Sequence, residues 1–319
     1  MIHVLLLIAS AAAIYVSCEL FVNAIEHLGK LLRLGTLAIG TVLAAIGTAL
    51  PESVVTGVAV TGGGTKDVGI GAALGGPLAL ATLAYAVVGV VLLARRAAMP
   101  TFETGRLARD QTAFLGIFAA LIALGLVSFT GKRWVGLVFF ALYAVYVLVE
   151  LRAEGEVHDD ELEPLRLGGS ESPGPLPIVI QTVATLAVVF LASQVFVHQL
   201  AWAGPALGIS GSVTALLLAP VATELPEVLN AVIWVRQGKV QLAMSNISGS
   251  MMVQATVPSG LGLLFTSWHL DAPLRVSVVV TFAAIAYLLL LMRTGRLKPR
   301  ALAAVGAFYL AFAALLVLV

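Results

Sequence analysis

Long apolar stretches separated by short polar segments make up most of this chain. A helix needs roughly 20 apolar residues to cross a bilayer. Runs such as LALATLAYAVVGVVLLA and AAIAYLLLLM do not alternate as barrel strands do. The pattern therefore predicts an all-α polytopic membrane protein with ten transmembrane helices, at 2–23, 36–62, 68–94, 112–130, 133–151, 175–200, 209–235, 240–266, 272–292 and 300–319.

Composition agrees with this pattern and excludes other classes of protein. The 319 residues are 60% hydrophobic and only 11% charged, whereas soluble domains are about 25% charged. A net charge of +1 gives no reason to expect nucleic-acid binding, and the single cysteine, Cys18, has no internal disulfide partner. We therefore exclude a soluble enzyme, a disordered chain and a disulfide scaffold.

The basic residues predict the orientation in the membrane. The connections between spans 1–2, 3–4, 5–6, 7–8 and 9–10 hold 14 of the 18 Lys and Arg residues. Basic residues favour the cytoplasmic side. We expect a multi-pass protein of the plasma (inner) membrane, with both termini outside and the central polar segment inside.

The polar segment 152–174 is acidic and contains Pro and Gly. A flexible, solvated cytoplasmic linker is one interpretation. A regulatory metal-binding role is the other, although the spacing of a calcium loop is absent. The acidic residues concerned are Glu154, Glu156, Asp159, Asp160, Glu161 and Glu163.

Two segments of the chain resemble each other. TVLAAIGTALPESVVTGVAV in span 2 and ALLLAPVATELPEVLNAVIW in span 7 share T-x-L-P-E at 48–52 and 223–227. A second similar pair lies in spans 3 and 8. Each half, 1–151 and 175–319, then has five spans, and an odd number inverts the second half relative to the first. Inverted repeats are typical of transporters with a binding site near the midplane.

Three glutamates lie inside these repeats. Glu52 is in span 2, and Glu224 and Glu227 are in span 7, where no predicted span carries a deep Lys or Arg. Buried carboxylates without a counter-charge require bound cations or protons. A carboxylate beside another carboxylate binds a proton more readily. Glu224 is therefore a candidate proton carrier as well as a candidate ligand, and a structural role is the alternative.

Neutral oxygens accompany these acids. Thr48 and Thr223 each precede a motif glutamate by four residues, which places them on the same helix face. Ser250 and Gln254 are also four apart, in span 8. Pro51 and Pro226 bend their helices. Oxygen ligands suit hard cations such as Ca²⁺ or Na⁺, although the two threonines have the alternative of bonding to the carbonyl one turn back.

AAIGTALPE, and APVATELPE followed by SNISGSMM, resemble the two α-repeats of the sodium/calcium exchanger (cation/Ca²⁺ exchanger) superfamily. CELFVNAIEHLG is similar to the family's acidic first helix. The resemblance covers both halves and implies ten helices in two inverted five-helix halves. It implies that Glu52 and Glu227 are the central Ca²⁺ and Na⁺ ligands, with Thr48, Thr223 and Ser250 beside them.

The chain departs from the family pattern at the expected site. Ala49 replaces the serine of the first motif and Glu224 that of the second, while Met251 replaces an asparagine. Gln254 stands where relatives often carry Asp or Asn. Gly76, Pro77 and Leu80 occupy positions that are usually polar in the third helix. The third helix has lost polar ligands, and the seventh has gained a carboxylate.

The resemblance implies a secondary active antiporter that exchanges Ca²⁺, or a related cation, for Na⁺ or H⁺ by alternating access. The metal ligands would be Glu52, Glu227 and Glu224, and spans 1 and 6 would slide across the site. The alternatives are a proton-coupled exchanger without Na⁺ dependence, and a relative that conducts passively, senses or does not transport. No cofactor is expected, and the expected partners are inorganic cations and the lipid bilayer. An enzyme is disfavoured because no nucleophile or His dyad lies in the spans.

Overall fold

All regular structure in the described part of the chain is helical. The computed structural model describes residues 2–61, 66–100, 104–153, 162–206 and 217–316. Among these residues, the exception is an isolated antiparallel β-bridge between Leu165 and Ser170. The prediction of an all-α membrane protein is confirmed.

The described residues of the first half form seven α-helices and three short segments of π- or 3₁₀-helix. They are α1 (Ile2–Leu31), α2 (Thr36–Ala38), a π-helix (Ile39–Ala44), α3 (Ala45–Thr61), α4 (Lys66–Ala79), a π-helix (Leu80–Ala84), α5 (Tyr85–Ala94), α6 (Thr104–Leu126), a 3₁₀ turn (Lys132–Trp134) and α7 (Val135–Arg152).

The described residues of the second half form a further seven α-helices. They are α8 (Pro175–Ala206), α9 (Ala219–Thr223), α10 (Leu225–Arg236), α11 (Val240–Phe265), α12 (Ala272–Arg293), α13 (Pro299–Ala304) and α14 (Gly306–Leu316). The start of the predicted seventh span, 209–216, lies outside the described residues.

Seven described helices are long and apolar enough to cross a membrane. An eighth candidate is the bent pair Thr36–Ala49 and Glu52–Val58, whose axes differ by 48°. α11 is not among them despite its 26 residues, because its Ser, Asn and Gln residues lower its mean hydropathy.

The fourth span begins at Thr104 rather than at 112, so Arg106 and Arg109 lie in a helix and not in a loop. Both arginines lie within the first six residues of this helix, near its end, so the expectation that no Lys or Arg lies deep in a span stays a prediction.

α11 lies at the centre of the bundle. It packs against α3, α4, α6, α7 and α10, and most of its residues are buried. α1 and α8 pack together along their lengths as a separate long pair. Large apolar side chains such as Leu176 and Leu310 are exposed on the outside, which suits a surface that faces lipid.

The second part of the central linker is folded against α1. Leu165 is buried with Ala24 and Ile178, and the amide of Asn23 bonds to the backbone of residues 163, 164 and 166. Most residues of 162–174 are nevertheless exposed to solvent, so the prediction of a solvated, flexible linker stays a prediction for this segment. Glu163 pairs with Arg166 at 2.8 Å, and the other five acids considered for metal binding lie in 154–161, outside the described residues.

Candidate functional site

The helix that carries the T-x-L-P-E motif is bent at the motif in the first half and interrupted there in the second. In the first half the axis bends by 48° between Ala49 and Glu52, where Pro51 removes a backbone donor. In the second half α9 ends at Thr223 and α10 begins at Leu225. Glu227 therefore lies in the first turn of α10, where the helix dipole favours negative charge.

Glu227 is fully buried. By distance and angle, neither of its carboxylate oxygens accepts a hydrogen bond from a described residue. The Thr48 hydroxyl is near enough to interact with it, but donates to the Ala44 carbonyl at 3.1 Å. Glu52 is half-buried, and its Oε2 is buried without a hydrogen-bond partner in the described ranges. Glu52 lies within electrostatic reach of both Glu227 and Glu224.

Glu224 is held differently from the other two acids. It is 1% exposed, and Gln254 Nε2 donates to its two oxygens at 2.7 and 2.8 Å. Gly76 of α4 lies directly against this pair, because a Cβ at position 76 would be 2.5 Å from Gln254 Oε1 and 2.7 Å from Glu224 Oε1. The added carboxylate and its amide partner thus occupy space that a side chain on α4 would need.

The hydroxyl oxygens of the two motif threonines and of Ser250 have lone pairs that can bind a cation. Thr223 donates to the Pro220 carbonyl at 3.1 Å, as Thr48 does to Ala44, so the alternative of back-bonding one turn is observed for both. A hydroxyl that donates its proton keeps two acceptor lone pairs. Ser250 is fully buried, and its hydroxyl has no hydrogen-bond partner in the part of the chain that the structure describes.

The arrangement is a set of buried oxygens around two unpaired carboxylates. Among the described residues, none of the ion pairs involves Glu52, Glu224 or Glu227. Across the same residues, no group of three or more His, Cys, Asp or Glu side chains is close enough to hold a metal ion. Two buried carboxylates without a basic partner attract cations or protons.

Sequence reasoning missed a second buried polar network. Glu150 is fully buried at the end of α7. It pairs with Arg109 and, at 3.6 Å, with Arg106. Thr41 in the first π-helix donates to it at 3.3 Å. The segment RLARD at 106–110 was a usable signal, because its charges recur at helical spacing before the apolar run.

The sequence of the chain matches a known family and two known proteins. A sequence model described as "Sodium/calcium exchanger protein" matches residues 2–152 and 177–319. The chain belongs to the sodium/calcium exchanger family. The chain is similar to the protein named "Putative antiporter CaxA" of Alkalimonas amylolytica, which is 27% identical over 288 residues, 88% of this chain and 87% of that protein. The inner membrane protein YrbG of Escherichia coli (strain K12) is 26% identical over 278 residues, 85% of this chain and 82% of that one.

A solved structure shares the fold. The sodium-calcium exchanger NCX_Mj, soaked with zero Na⁺ and Ca²⁺, superposes with a TM-score of 0.77 at 19% identity, covering 98% of both chains. The chain is therefore a multi-pass helical membrane protein with the fold of that exchanger. Its family and its antiporter homologue support cation antiport in general terms.

Proposed function

We propose that this exchanger-family protein is a secondary active antiporter that moves Ca²⁺, or a related cation, against Na⁺ or H⁺. The observation that carries the proposal is Glu227, a fully buried carboxylate that is in no described ion pair and accepts no hydrogen bond by geometry from a described residue. Such a group is stable in a membrane only when a cation or a proton neutralises it. A transported cation supplies that charge reversibly.

The proposed architecture is ten helices in two inverted five-helix halves, 1–151 and 175–319, joined by the linker 152–174. The bend in the first motif helix and the interruption of the second support it. Each break directly precedes or includes the motif glutamate, as expected for discontinuous helices that place a binding site where two repeats meet.

In the proposed site, Glu52 and Glu227 are the carboxylate ligands of the transported ion. Thr48, Thr223 and Ser250 supply neutral oxygens through their free lone pairs. Gln254 neutralises part of the charge of Glu224 by two hydrogen bonds. Glu224 then serves as a ligand when the amide moves away, or as a proton carrier.

Alternating access would come from α1 and α8 sliding across the site. Their packing as a long pair supports this movement as a unit. We place both termini outside and the linker on the cytoplasmic side of the plasma (inner) membrane, because 14 of the 18 basic residues then face the cytoplasm.

Uptake of radiolabelled Ca²⁺ into proteoliposomes tests the proposal. We expect an outward-directed Na⁺ or H⁺ gradient to drive uptake in the natural protein, and Glu52→Gln or Glu227→Gln to abolish it. If neither gradient drives uptake by the reconstituted natural protein, the proposal is wrong.

Proton coupling without Na⁺ dependence is the second candidate. The observation that favours it is that Glu52, Glu224 and Glu227 lie close enough to repel one another, since a carboxylate beside another carboxylate binds a proton more readily. In the same assay, this candidate predicts uptake with a proton gradient and none with a sodium gradient alone. A relative that conducts passively would show flux without coupling to either gradient, and a sensor would show none.

A further inference from the structure

α10 and α11 form an antiparallel hairpin around a tight turn. α10 ends at Arg236 and α11 begins at Val240. Gly238 adopts φ 82°, and Lys239 N donates to the Trp234 carbonyl at 2.8 Å. The two helices pack side by side, so residues equally distant from the turn lie at the same level.

The bond between Glu224 and Gln254 fixes the register of this hairpin. Three residues further along α10 is Glu227, and four residues back along α11 is Ser250. One more such step reaches Asn230 and Asn246. With a rise of about 1.5 Å per residue, the two steps stay level to within about 3 Å. The hairpin therefore carries three polar levels, and the last is an asparagine pair nearer the turn.

The two asparagines are buried without hydrogen-bond partners. Both are 0% exposed, and neither the amide nitrogen nor the amide oxygen of either residue is bonded to a described residue. Buried amides almost always bond to protein, water or an ion. The helix that carries Gly40 packs against α11 at this level, because a Cβ on Gly40 would lie 3.0 Å from the backbone nitrogen of Asn246.

A cavity lined by three glutamates and by Arg166 and Lys239 lies beyond the asparagine pair. It has a volume of about 80 Å³ and is lined in part by Ile233 and Gln237, which follow Asn230 by three and seven residues on α10. Glu19 and Glu26 of α1 also line it. The same face of α10 thus leads from this cavity, past Asn230, to Glu227.

We propose that Asn230 and Asn246 form a relay site for a hard cation, Ca²⁺ or Na⁺, between this cavity and the central glutamates. The inference rests on the proposed function and adds a step to its path. Amide oxygens bind hard cations but carry no charge. A neutral site is weak enough to release the ion onward, which conduction through successive sites requires.

The relay site is closed toward the cavity in this structure. Trp234 follows Asn230 by one turn and donates from Nε1 to Glu26 at 2.9 Å. Lys239 Nζ contacts the other oxygen of Glu26 at 2.5 Å. The ion reaches the asparagines from the turn side only after α1 has moved and these contacts have opened.

Sided flux measurements test the relay site. Radiolabelled Ca²⁺ uptake is measured in sealed vesicles of both orientations, with Asn230→Ala and Asn246→Ala beside the natural protein. We expect the Ca²⁺ concentration for half-maximal flux to rise about tenfold on the turn side, or 1.4 kcal/mol, and to change less than about twofold on the other. Ser277→Ala is the matched control, because Ser277 is 4% exposed, its Oγ has no described partner and it lies on α12.

Equal shifts on both sides, or flux equal to that of Ser277→Ala, would overturn the relay site. If an alanine variant does not fold, Asn246→Ser and Asn230→Asp keep an oxygen in place. The aspartate then lowers the half-maximal concentration on the turn side, and no sided change with it overturns the inference. Absence of driven flux in the natural protein is a separate outcome, because it rejects the antiporter itself.

Discussion

Gln254 donates from one nitrogen to both oxygens of Glu224, at 2.7 and 2.8 Å. The pair spans α11 and the break before α10, and Gly76 of α4 leaves the space that it fills. Of the three acids in the repeats, one is therefore bound by a neutral amide, while Glu52 and Glu227 keep buried oxygens without described hydrogen-bond partners. Fewer carboxylate oxygens then face the transported ion than the acid count alone suggests.

The two motif glutamates are the first test of the site. We expect Glu52→Gln and Glu227→Gln each to reduce gradient-driven Ca²⁺ uptake by at least about a hundredfold, because a hard cation loses a charged ligand in a low-dielectric site. Glu171→Gln is the control, since Glu171 lies in the linker and is exposed. Wild-type uptake by either motif variant would exclude that glutamate as a ligand.

Gly76 tests whether the Glu224–Gln254 pair matters for transport. Gly76→Ala places a methyl group 2.5 Å from Gln254 Oε1, so the pair has to shift. Such overpacking costs about 1–3 kcal/mol, and we expect a changed apparent Ca²⁺ affinity and a lower melting temperature.

Gly71→Ala is the matched control on the same helix. A Cβ at Gly71 meets nothing within 4 Å, and alanine in place of glycine stabilises a helix by roughly 0.5–1 kcal/mol. We expect it to keep its affinity and gain stability. The interpretation of the pair fails if the two alanine variants behave alike in uptake and in thermal unfolding.

Transport should depend on pH near neutrality. Protons and Ca²⁺ compete for the same carboxylates, so the Ca²⁺ concentration for half-maximal uptake should fall as pH rises between about 6 and 8. Glu224→Gln removes one of the interacting acids and should flatten this dependence. Uptake in the natural protein that stays constant over this range would contradict a role for protons at the site.

The pattern of the sequence predicted the helical class and the breaks at the motifs, because apolar length and proline act locally. It placed the fourth span eight residues late, since Arg106, Arg109 and Asp110 are charged, and the two arginines find their partner in Glu150, more than forty residues further along. The contact of Gln254 with Glu224 also joins residues thirty positions apart. Local spacing identified both residues but not their pairing.

Glu150 should matter for stability more than for ion specificity. It is fully buried and joins α6 to α7 and to Thr41 in the first π-helix. Arg106 is 14% exposed, so without Glu150 its charge is largely buried and uncompensated, whereas Arg109 is 46% exposed and screened by solvent. We therefore expect Glu150→Gln to cost about 2–3 kcal/mol. Thermal unfolding in detergent measures this loss of stability.

The control is the exposed pair Glu163–Arg166, because exposed pairs contribute about 1 kcal/mol or less. Equal losses of stability in Glu150→Gln and Glu163→Gln would contradict the structural role of Glu150.

Cys18 is a natural probe for movement of α1. It is the only cysteine in the chain, is 0% exposed, and directs its Sγ toward the Pro226 carbonyl at 3.8 Å. A thiol reagent reaches it only when α1 moves away from α10.

We expect Glu26→Gln to speed maleimide labelling several-fold, because the contact of Glu26 with Lys239 is weakened. We expect saturating Ca²⁺ to slow labelling of the natural protein, because the ion binds beside Glu227. Glu19→Gln on the same helix should label at the natural rate. If Glu26→Gln and the natural protein label equally fast with and without Ca²⁺, α1 does not move past the site as proposed.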